Sequence, residues 1–360
     1  MRKLRDSVVV ITGASSGIGR AAALAFARKR GAVVLAARRA AALDELGAAC
    51  ERIGAAALAV PTDVTDQMQV EALARRAVER FGRIDVWVNN AAVALFGRFE
   101  DTPIDAFRRV IETNLFGYVY GARAALPVFR EQGGGVLINV GSIVSKIPQP
   151  YTSPYVMSKH AVRALGRSLR QEIALDGAPI HVCTVMPASI DTPLFQHAAN
   201  YTGRPVQPMP PVYPADDVAA TLVRLARKPR NEVFVGRVGR VLDVQEKLAP
   251  AASERMLATV VDRQHLDTHG RAATTEGNLF GPMHEGTGIS GGWLTDDGRS
   301  ALRTAALLLA PAAAAWWWMR SRDGGGSRPQ RPLLRLPPPA AAPAGDASAN
   351  SPVGVAGTRS

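Results

Sequence analysis

Residues 7–19 read SVVVITGASSGIG and place a glycine-rich turn directly after a short apolar run. The valines and isoleucine of residues 7–12 predict a buried strand that ends at Gly13. From residue 18 to residue 30 the apolar side chains recur at helical spacing, which predicts a helix. Glycines between a strand and a helix permit a tight turn and bring the backbone close to a pyrophosphate, which the helix N-terminus attracts. The stretch therefore predicts a phosphate-binding strand–turn–helix unit.

The same alternation of short apolar runs and helical patterns continues to about residue 240. The further runs are 32–37, 58–60, 84–88, 135–140, 180–186 and 233–235, and the clearest helical patterns are 69–81, 103–130 and 155–175. Near-continuous apolar strands separated by helices indicate a parallel sheet that is covered on both faces. We predict an α/β fold, a Rossmann-like doubly wound parallel sheet of about seven strands, with a C-terminal extension.

Changes in composition divide the chain into four segments. Residues 1–245 form the predicted dinucleotide-binding and catalytic domain, and residues 246–300 form an extension with a helix at 250–264 and a loop from 268. Residues 301–319 are an apolar segment, and residues 320–360 are a tail rich in Pro, Ala and Arg that we expect to be disordered.

The overall composition excludes several classes of protein. Of 360 residues, 47% are hydrophobic and 21% are charged, which suits a packed core and excludes a wholly disordered chain. Two cysteines, Cys50 and Cys183, exclude a disulfide scaffold, and the six histidines show no metal-ligand spacing, so no metal is expected. The net charge of +12 includes no basic run interleaved with aromatics, so we expect anionic cofactors, anionic lipids or acidic surfaces as partners rather than nucleic acid.

Further motifs follow the glycine turn in a fixed order. They are Asp63-Val64, Asn89-Asn90-Ala91-Ala92, Asn114, Ser142, Tyr155-x-x-x-Lys159 and Pro187 through Thr192. Together with the G-x-x-x-G-x-G spacing, they make residues 5–240 resemble the short-chain dehydrogenase/reductase family. The chain departs from the family pattern at Ala92 and Ala188, where glycine is common, and both replacements are small.

The end of the second predicted strand bears on the choice of cofactor. An acidic residue there would accept hydrogen bonds from a ribose 2′-hydroxyl and select NAD, but the sequence is Ala36-Ala37-Arg38-Arg39. An arginine can pair with a 2′-phosphate, so we assign NADP(H) on Arg38. The alternative is that Arg38 and Arg39 form a solvated start to the next helix, which Arg39 alone would also fit.

The resemblance implies further cofactor contacts along the carboxyl edge of the sheet. They are Gly13, Ser15, Ser16, Gly17, Ile18, Gly19, Asp63, Val64, Asn90, Ala91, Tyr155, Lys159, Ile190 and Thr192. For Asn89 and Asn90, a purely structural role in closing a turn remains open.

Tyr155 and Lys159 lie four residues apart on a predicted helix and so share one face. A free tyrosine has a pKa of about 10, and a nearby ammonium is expected to lower it. Ser142 lies thirteen residues earlier, where its hydroxyl can bond a substrate carbonyl. The resemblance implies that Asn114 binds a water in a proton relay; a helix-kinking role is the alternative.

These residues predict an NADP(H)-dependent oxidoreductase that acts on CH–OH groups. Hydride passes between nicotinamide and a carbonyl or alcohol, with Tyr155 as general acid or base. The alternative is a non-catalytic NADP-binding sensor or scaffold, which the intact set of Asn114, Ser142, Tyr155 and Lys159 disfavours.

Residues 192–213 are expected to form a lid over the nicotinamide. Apolar side chains there and nearby suggest a lipophilic substrate: Leu194, Phe195, Tyr201, Met209, Tyr213, Phe96 and Tyr151. The alternative is that they only pack the lid on the sheet.

The remaining expectations concern assembly and location. The family resemblance implies a homo-oligomer through helices near 104–130 and 155–175, although the same faces suit packing on the sheet. The apolar run near the N-terminus is too short for the core of a signal peptide, so we expect a location in the cytoplasm. The apolar run 305–319 is short for a membrane span. This run favours peripheral attachment to the inner face of the membrane. The alternatives are a membrane span, or a tail that packs on a partner or stays soluble.

Overall fold

A computed structural model describes residues 4–294, and its centre is one seven-stranded sheet. All neighbouring strands are parallel, in the order β7-β6-β5-β4-β1-β2-β3. The strands are β1 (Val8–Thr12), β2 (Ala32–Ala37), β3 (Ala57–Pro61), β4 (Val86–Asn89), β5 (Gly135–Val140), β6 (Ile180–Pro187) and β7 (Glu232–Val235). The predicted Rossmann-like α/β fold with its seven strands is confirmed.

The order of the strands creates the crevice in which a ligand can bind. The chain runs outward from β1 to β3 and then returns to place β4 on the other side of β1. Connections that leave in opposite directions open a gap at the carboxyl ends of the strands. The glycine turn after β1 and the asparagines that end β4 therefore meet at this gap.

Helices cover both faces of the sheet. They are α1 (Gly17–Ala27), α2 (Ala40–Arg52), α3 (Gln67–Phe81), α4 (Ile104–Ile111), α5 (Gly117–Glu131), α6 (Ser153–Asp176), α7 (Ala215–Arg227), α8 (Arg237–Leu248) and α9 (Pro250–Gln264). Because side chains alternate along a strand, Val9 and Ile11 pack in one core with Phe26, while Val8 and Val10 pack in a second core. Both cysteines are buried and free, as the composition predicts.

The structure differs from the sequence expectation at several helices. Helices α7 and α8 are absent from the predicted pattern, and α8 spans the expected domain boundary at residue 245. The alternative reading of Arg39 implies a helix directly after it, and α2 does begin at Ala40. In the sequence, Pro148, Pro150 and Pro154 predict a loop over residues 142–155, yet α6 already begins at Ser153 with Pro154 in its first turn. Proline is tolerated there because the first N–H groups of a helix have no intrahelical partner.

The chain after α9 runs as a loop, as expected, back towards the carboxyl edge of the sheet. Isolated bridges join Leu266 to Val206 and Thr275 to Asn200. Among residues 4–294, no helix is both long and apolar enough to cross a membrane. The predicted apolar segment 301–319, with its run at 305–319, and the tail 320–360 lie outside the described residues.

Candidate active site

The glycine turn has a backbone that only glycine fits well. Gly13 has φ of 66° and Gly17 has φ of 52°, both in the left-handed region. A Cβ on Gly13 would lie 2.7 Å from the Cα of Ala91, and a Cβ on Gly19 would collide with the carbonyl oxygen of Gly13. The turn is thus compact, and its cradle suits the close approach of a dinucleotide pyrophosphate.

Asn90 ties the end of β4 to this turn. Its Nδ2 donates to the carbonyl oxygens of Thr12 at 2.8 Å and Gly13 at 3.2 Å. The hydroxyl of Thr12 accepts from the backbone N–H groups of Asn90 and Ala91 at 3.0 and 3.1 Å. Asn90 therefore closes the turn through its side chain and also lines the cavity.

Arg38 and Arg39 form a basic end of the cavity beside the glycine turn. Burial lowers the pKa of Arg38, with an opposing effect from Asp63 and a further lowering from Arg109. Arg39, which the sequence also allowed as a solvated helix start, donates through Nε and Nη2 to Ser15 Oγ at 3.3 and 3.1 Å. Both guanidinium groups therefore belong to the same anion-attracting wall.

Lys159 is almost fully buried on α6. Its Nζ donates to the carbonyl oxygen of Val140 at 2.9 Å and to the hydroxyl of Tyr118 at 3.3 Å. It also lies 5.6 Å from the ring centre of Tyr155. Burial lowers the pKa of Lys159 to about 7, because a charged ammonium is poorly solvated there.

Ser142 begins a short turn after β5 and faces Tyr155. Its Oγ accepts from Val144 N at 3.3 Å, and its own N–H donates to Ser145 Oγ at 3.1 Å, which fixes the backbone. Burial raises the pKa of Tyr155 to about 12, while its hydrogen bond with Ser142 acts in the opposite direction. The expectation that the ammonium lowers this pKa is wrong, because desolvation dominates.

Asn114 lies in a five-residue π-helix, Glu112–Phe116, between α4 and α5. Its Oδ1 accepts from Val93 N at 2.8 Å, and its Nδ2 donates to Val93 O at 2.9 Å and Ser158 Oγ at 3.2 Å. These bonds connect the helix irregularity to the segment after β4 and to α6. Asn114 thus braces the helix that carries Tyr155 and Lys159.

The far end of the cavity is apolar. Phe96, Leu194, Phe195 and Met209 line it, in agreement with the predicted lipophilic pocket. The other expected pocket residues, Tyr151, Tyr201 and Tyr213, are outside the lining: Tyr151, for example, donates its hydroxyl to Asp262 at 2.8 Å.

His265, which the sequence analysis did not assign to the site, closes the apolar end. Its ring lies 5.0 Å from that of Phe96 and 5.7 Å from that of Phe195, and its Nδ1 bonds the carbonyl oxygen of Gln207. Burial lowers the pKa of His265 to about 4, so the imidazole is neutral at pH 7. A lone histidine after a helix gives no sequence signal for this role.

Most of the sequence-predicted residues meet on this one cavity. The lining includes Gly13, Ser15, Ser16, Gly17, Ile18, Arg38, Asp63, Val64, Asn90, Ala91, Ser142, Tyr155, Lys159, Ile190 and Thr192. Within residues 4–294, Gly19 and Asn114 stay behind this surface and support it through the contacts given above.

Comparison with known proteins agrees with this geometry. The family model for the short chain dehydrogenases matches residues 7–201. The chain belongs to this family. It is 34% identical over 299 residues to the uncharacterized oxidoreductase YxnA of Bacillus subtilis, which covers 82% of this chain and 84% of that protein. Dehydrogenase/reductase SDR family member 7B of Bos taurus is 32% identical over 280 residues, covering 74% of this chain and 85% of the relative.

Two solved structures share the fold and contain nicotinamide cofactors. An alcohol dehydrogenase of the archaeon Thermococcus sibiricus, complexed with 5-hydroxy-NADP, is 31% identical with a TM-score of 0.55, covering 64% of this chain and 95% of that one. A short chain dehydrogenase/reductase of Burkholderia phymatum in complex with NAD is 25% identical with a TM-score of 0.61, covering 69% and 96%. The two complexes differ in cofactor, so they leave the choice between NAD and NADP to local residues.

Proposed function

We propose that this member of the short chain dehydrogenase family transfers hydride between NADP(H) and a lipophilic alcohol, ketone or aldehyde. The observation that carries the proposal is one cavity with a basic end at Arg38, a hydroxyl pair at Ser142 and Tyr155, and an apolar end at Phe195. When bound, the nicotinamide ring donates or accepts the hydride.

The hydroxyl pair supports the proton-transfer step. Burial raises the pKa of Tyr155 to about 12, so its phenol keeps its proton at pH 7 and can donate it to an alkoxide that develops during carbonyl reduction. Ser142 would steady the same oxygen through a second hydrogen bond. The backbone of Ser142 is fixed by its hydrogen bond to Ser145, so the Ser142 hydroxyl is already positioned beside Tyr155.

Lys159 supports both binding and proton transfer. Its amine lies beneath the Tyr155 ring and would bind ribose hydroxyls of the cofactor. With a pKa lowered to about 7 by burial, it changes charge in the physiological range. A cofactor that stabilises the ammonium would raise this pKa, and the charged form would then favour the phenolate needed for alcohol oxidation.

The basic end supports NADP(H). Arg38 and Arg39 follow β2 directly, and Ser15, within the glycine turn, accepts hydrogen bonds from Arg39. This set of donors suits a dianionic phosphate, which would offset the positive charge of both guanidinium groups, whereas a free ribose hydroxyl carries no charge to do so.

The apolar end supports a lipophilic substrate. The rings of Phe96 and Phe195 flank a neutral imidazole at His265, and Met209 adds a flexible wall. A sugar or a charged acid would lose hydration here without gaining enough partners.

The test is NADPH oxidation against a panel of lipophilic aldehydes and ketones. Tyr155→Phe should lower kcat by on the order of 10²–10⁴ on any substrate found, because the proton donor is lost. Binding of NADPH, followed by fluorescence, should persist. Tyr213→Phe is the matched control, since Tyr213 packs on the core and is not itself part of the cavity lining.

Two results would contradict the proposal. An unchanged kcat in Tyr155→Phe would remove the phenol from proton transfer. A wild-type chain that binds NADPH tightly but reduces no member of the panel would instead favour the sensor or scaffold alternative.

A further inference from the structure

Residues 276–294, here called the strap, cross the basic end of the cavity. They follow the last helix of the described chain, yet Asn278, Pro282 and Met283 form part of the same cavity wall as the glycine turn. The N–H of Gly17, the second glycine of the turn, donates to the carbonyl oxygen of Gly288 at 2.9 Å. The strap therefore contacts the very segment that would hold a pyrophosphate.

The strap also holds the guanidinium group of Arg38. Nη2 of Arg38 donates to the carbonyl oxygen of Asn278 at 2.7 Å, and Nη1 donates to that of Leu279 at 3.3 Å. A carbonyl orients a guanidinium but carries no net charge, so it leaves the positive charge available to an anion. A guanidinium has five N–H groups, so Arg38 has further donors with which to bind such an anion.

Arg39 is held in the same manner from two sides. Its Nη1 donates to the carbonyl oxygens of Met283 and Glu285, each at 3.0 Å. Its Nε and Nη2 donate to Ser15 Oγ in the glycine turn. Arg39 thus bridges the strap and the turn, and the two forks are fixed relative to each other.

Buried contacts anchor the strap at both ends. The side chain of Leu279 is fully buried in a cluster with Val93, Leu95 and Val110. At the other end the buried carboxylate of Asp191 accepts from Ser290 Oγ at 2.5 Å and from two backbone N–H groups, of Gly291 at 3.0 Å and of Trp293 at 2.9 Å. The segment between these anchors is fixed over Arg38 and Arg39.

One polar atom of the strap points to a missing partner. In the described part of the chain, Oδ1 of Asn278 is buried and accepts no hydrogen bond, although Asn278 lines the cavity. Buried acceptors are normally satisfied, so an unpaired one on a cavity wall indicates a ligand that brings a donor, such as the adenine or ribose of a dinucleotide.

We propose that the strap is the second half of the 2′-phosphate site and sets the preference for NADP(H) over NAD(H). It does so by holding the forks of Arg38 and Arg39 in one arrangement through uncharged acceptors. This inference rests on the proposed cofactor. The strap residues are positioning residues, since they act through the two arginines.

The test loosens the strap in the full-length chain without altering either arginine. Leu279→Ala removes the buried anchor, and Leu257→Ala is the matched control, because Leu257 is also a buried leucine and lies in α9, outside the strap. Dissociation constants for NADP⁺ and NAD⁺ are measured by calorimetry for both variants and the wild type.

If the variant populates the closed strap less often, the affinity of a ligand that requires the closed strap falls in proportion. Leu279→Ala should therefore raise the Kd for NADP⁺ by about tenfold and that for NAD⁺ by less than about threefold. Leu257→Ala should change neither. Equal weakening of both cofactors would mean a merely structural role and overturns the inference, as would tighter NADP⁺ binding, which would make the strap a competitor of the phosphate.

A second measurement needs no variant. Hydrogen exchange of peptides from 276–294 should slow more with saturating NADP⁺ than with saturating NAD⁺, because only the 2′-phosphate engages the arginines that the strap holds. Equal protection by both cofactors overturns the inference while leaving the proposed cofactor intact. A wild-type chain that binds NAD⁺ as tightly as NADP⁺ overturns the proposed cofactor and the strap inference together.

Discussion

Replacing Lys159 by methionine should change how stability depends on pH. Burial lowers the pKa of Lys159 from the usual 10.5 to about 7. Between these values the unfolded chain binds a proton that the folded chain does not bind. The free energy of unfolding is therefore highest, with respect to this group, above pH 10.5. It decreases as the pH falls towards 7, by up to about 1.4 kcal/mol per pH unit. Methionine has no proton to bind and removes this dependence.

The magnitude can be read from urea unfolding of both chains without added cofactor. Between pH 7.5 and 9.5 the wild type should gain about 2.5 kcal/mol relative to Lys159→Met, since the difference in bound protons is nearly one throughout. Val140 O keeps its bond from Tyr118 in the variant, so the fold should tolerate the change. The loss of the Lys159 hydrogen bonds adds an offset that does not vary with pH.

Lys29→Met is the control, because Lys29 is exposed, and its stability curve should stay parallel to that of the wild type. Parallel curves for Lys159→Met as well would refute the reasoning. They would mean that the buried amine keeps its charge in the folded chain.

Four further substitutions have defined outcomes. Arg38→Asp should raise the KM for NADPH roughly 10–150-fold in initial-rate assays, since a charge-assisted contact is lost. The difference between the KM values for NADPH and NADH should therefore become smaller, and equal use of both cofactors by the wild type would contradict this. Gly19→Ala should destabilise the fold by about 1–3 kcal/mol in thermal unfolding, because its Cβ meets the carbonyl oxygen of Gly13; an unchanged melting temperature would show that the turn can shift. Asp191→Asn should lower the free energy of unfolding by about 1.5–3 kcal/mol, because a buried acceptor of three hydrogen bonds loses its charge. The same variant should be cleaved faster after Glu285 by a protease, and an unaltered cleavage rate would show that Asp191 does not anchor the strap. His265→Phe should reduce the loss of stability as the pH falls from 6.5 to 4, the window set by the lowered pKa of His265; an identical acid-unfolding midpoint would mean that the imidazole is hydrated.

The sequence by itself determined the sheet and one half of the site. The apolar runs around Gly13 predict parallel strands because both faces of such strands are buried, and their order along the chain brings the carboxyl ends together. Tyr155 and Lys159 share a face through helical spacing alone. Arg38 could be placed on the wall of the cavity because its position depends only on the end of one strand.

Tertiary structure alone decided the contributions of residues distant in sequence. The strap has no periodicity, and its contacts to Arg38 and Arg39 join residues about 240 positions apart, which no local pattern encodes. The pKa of Tyr155 also depended on the fold: spacing identified the nearby lysine but not the degree of burial, and desolvation outweighed the expected charge effect. His265 joined the pocket because α9 packs back on the loop after β5, so its role follows from packing between distant segments.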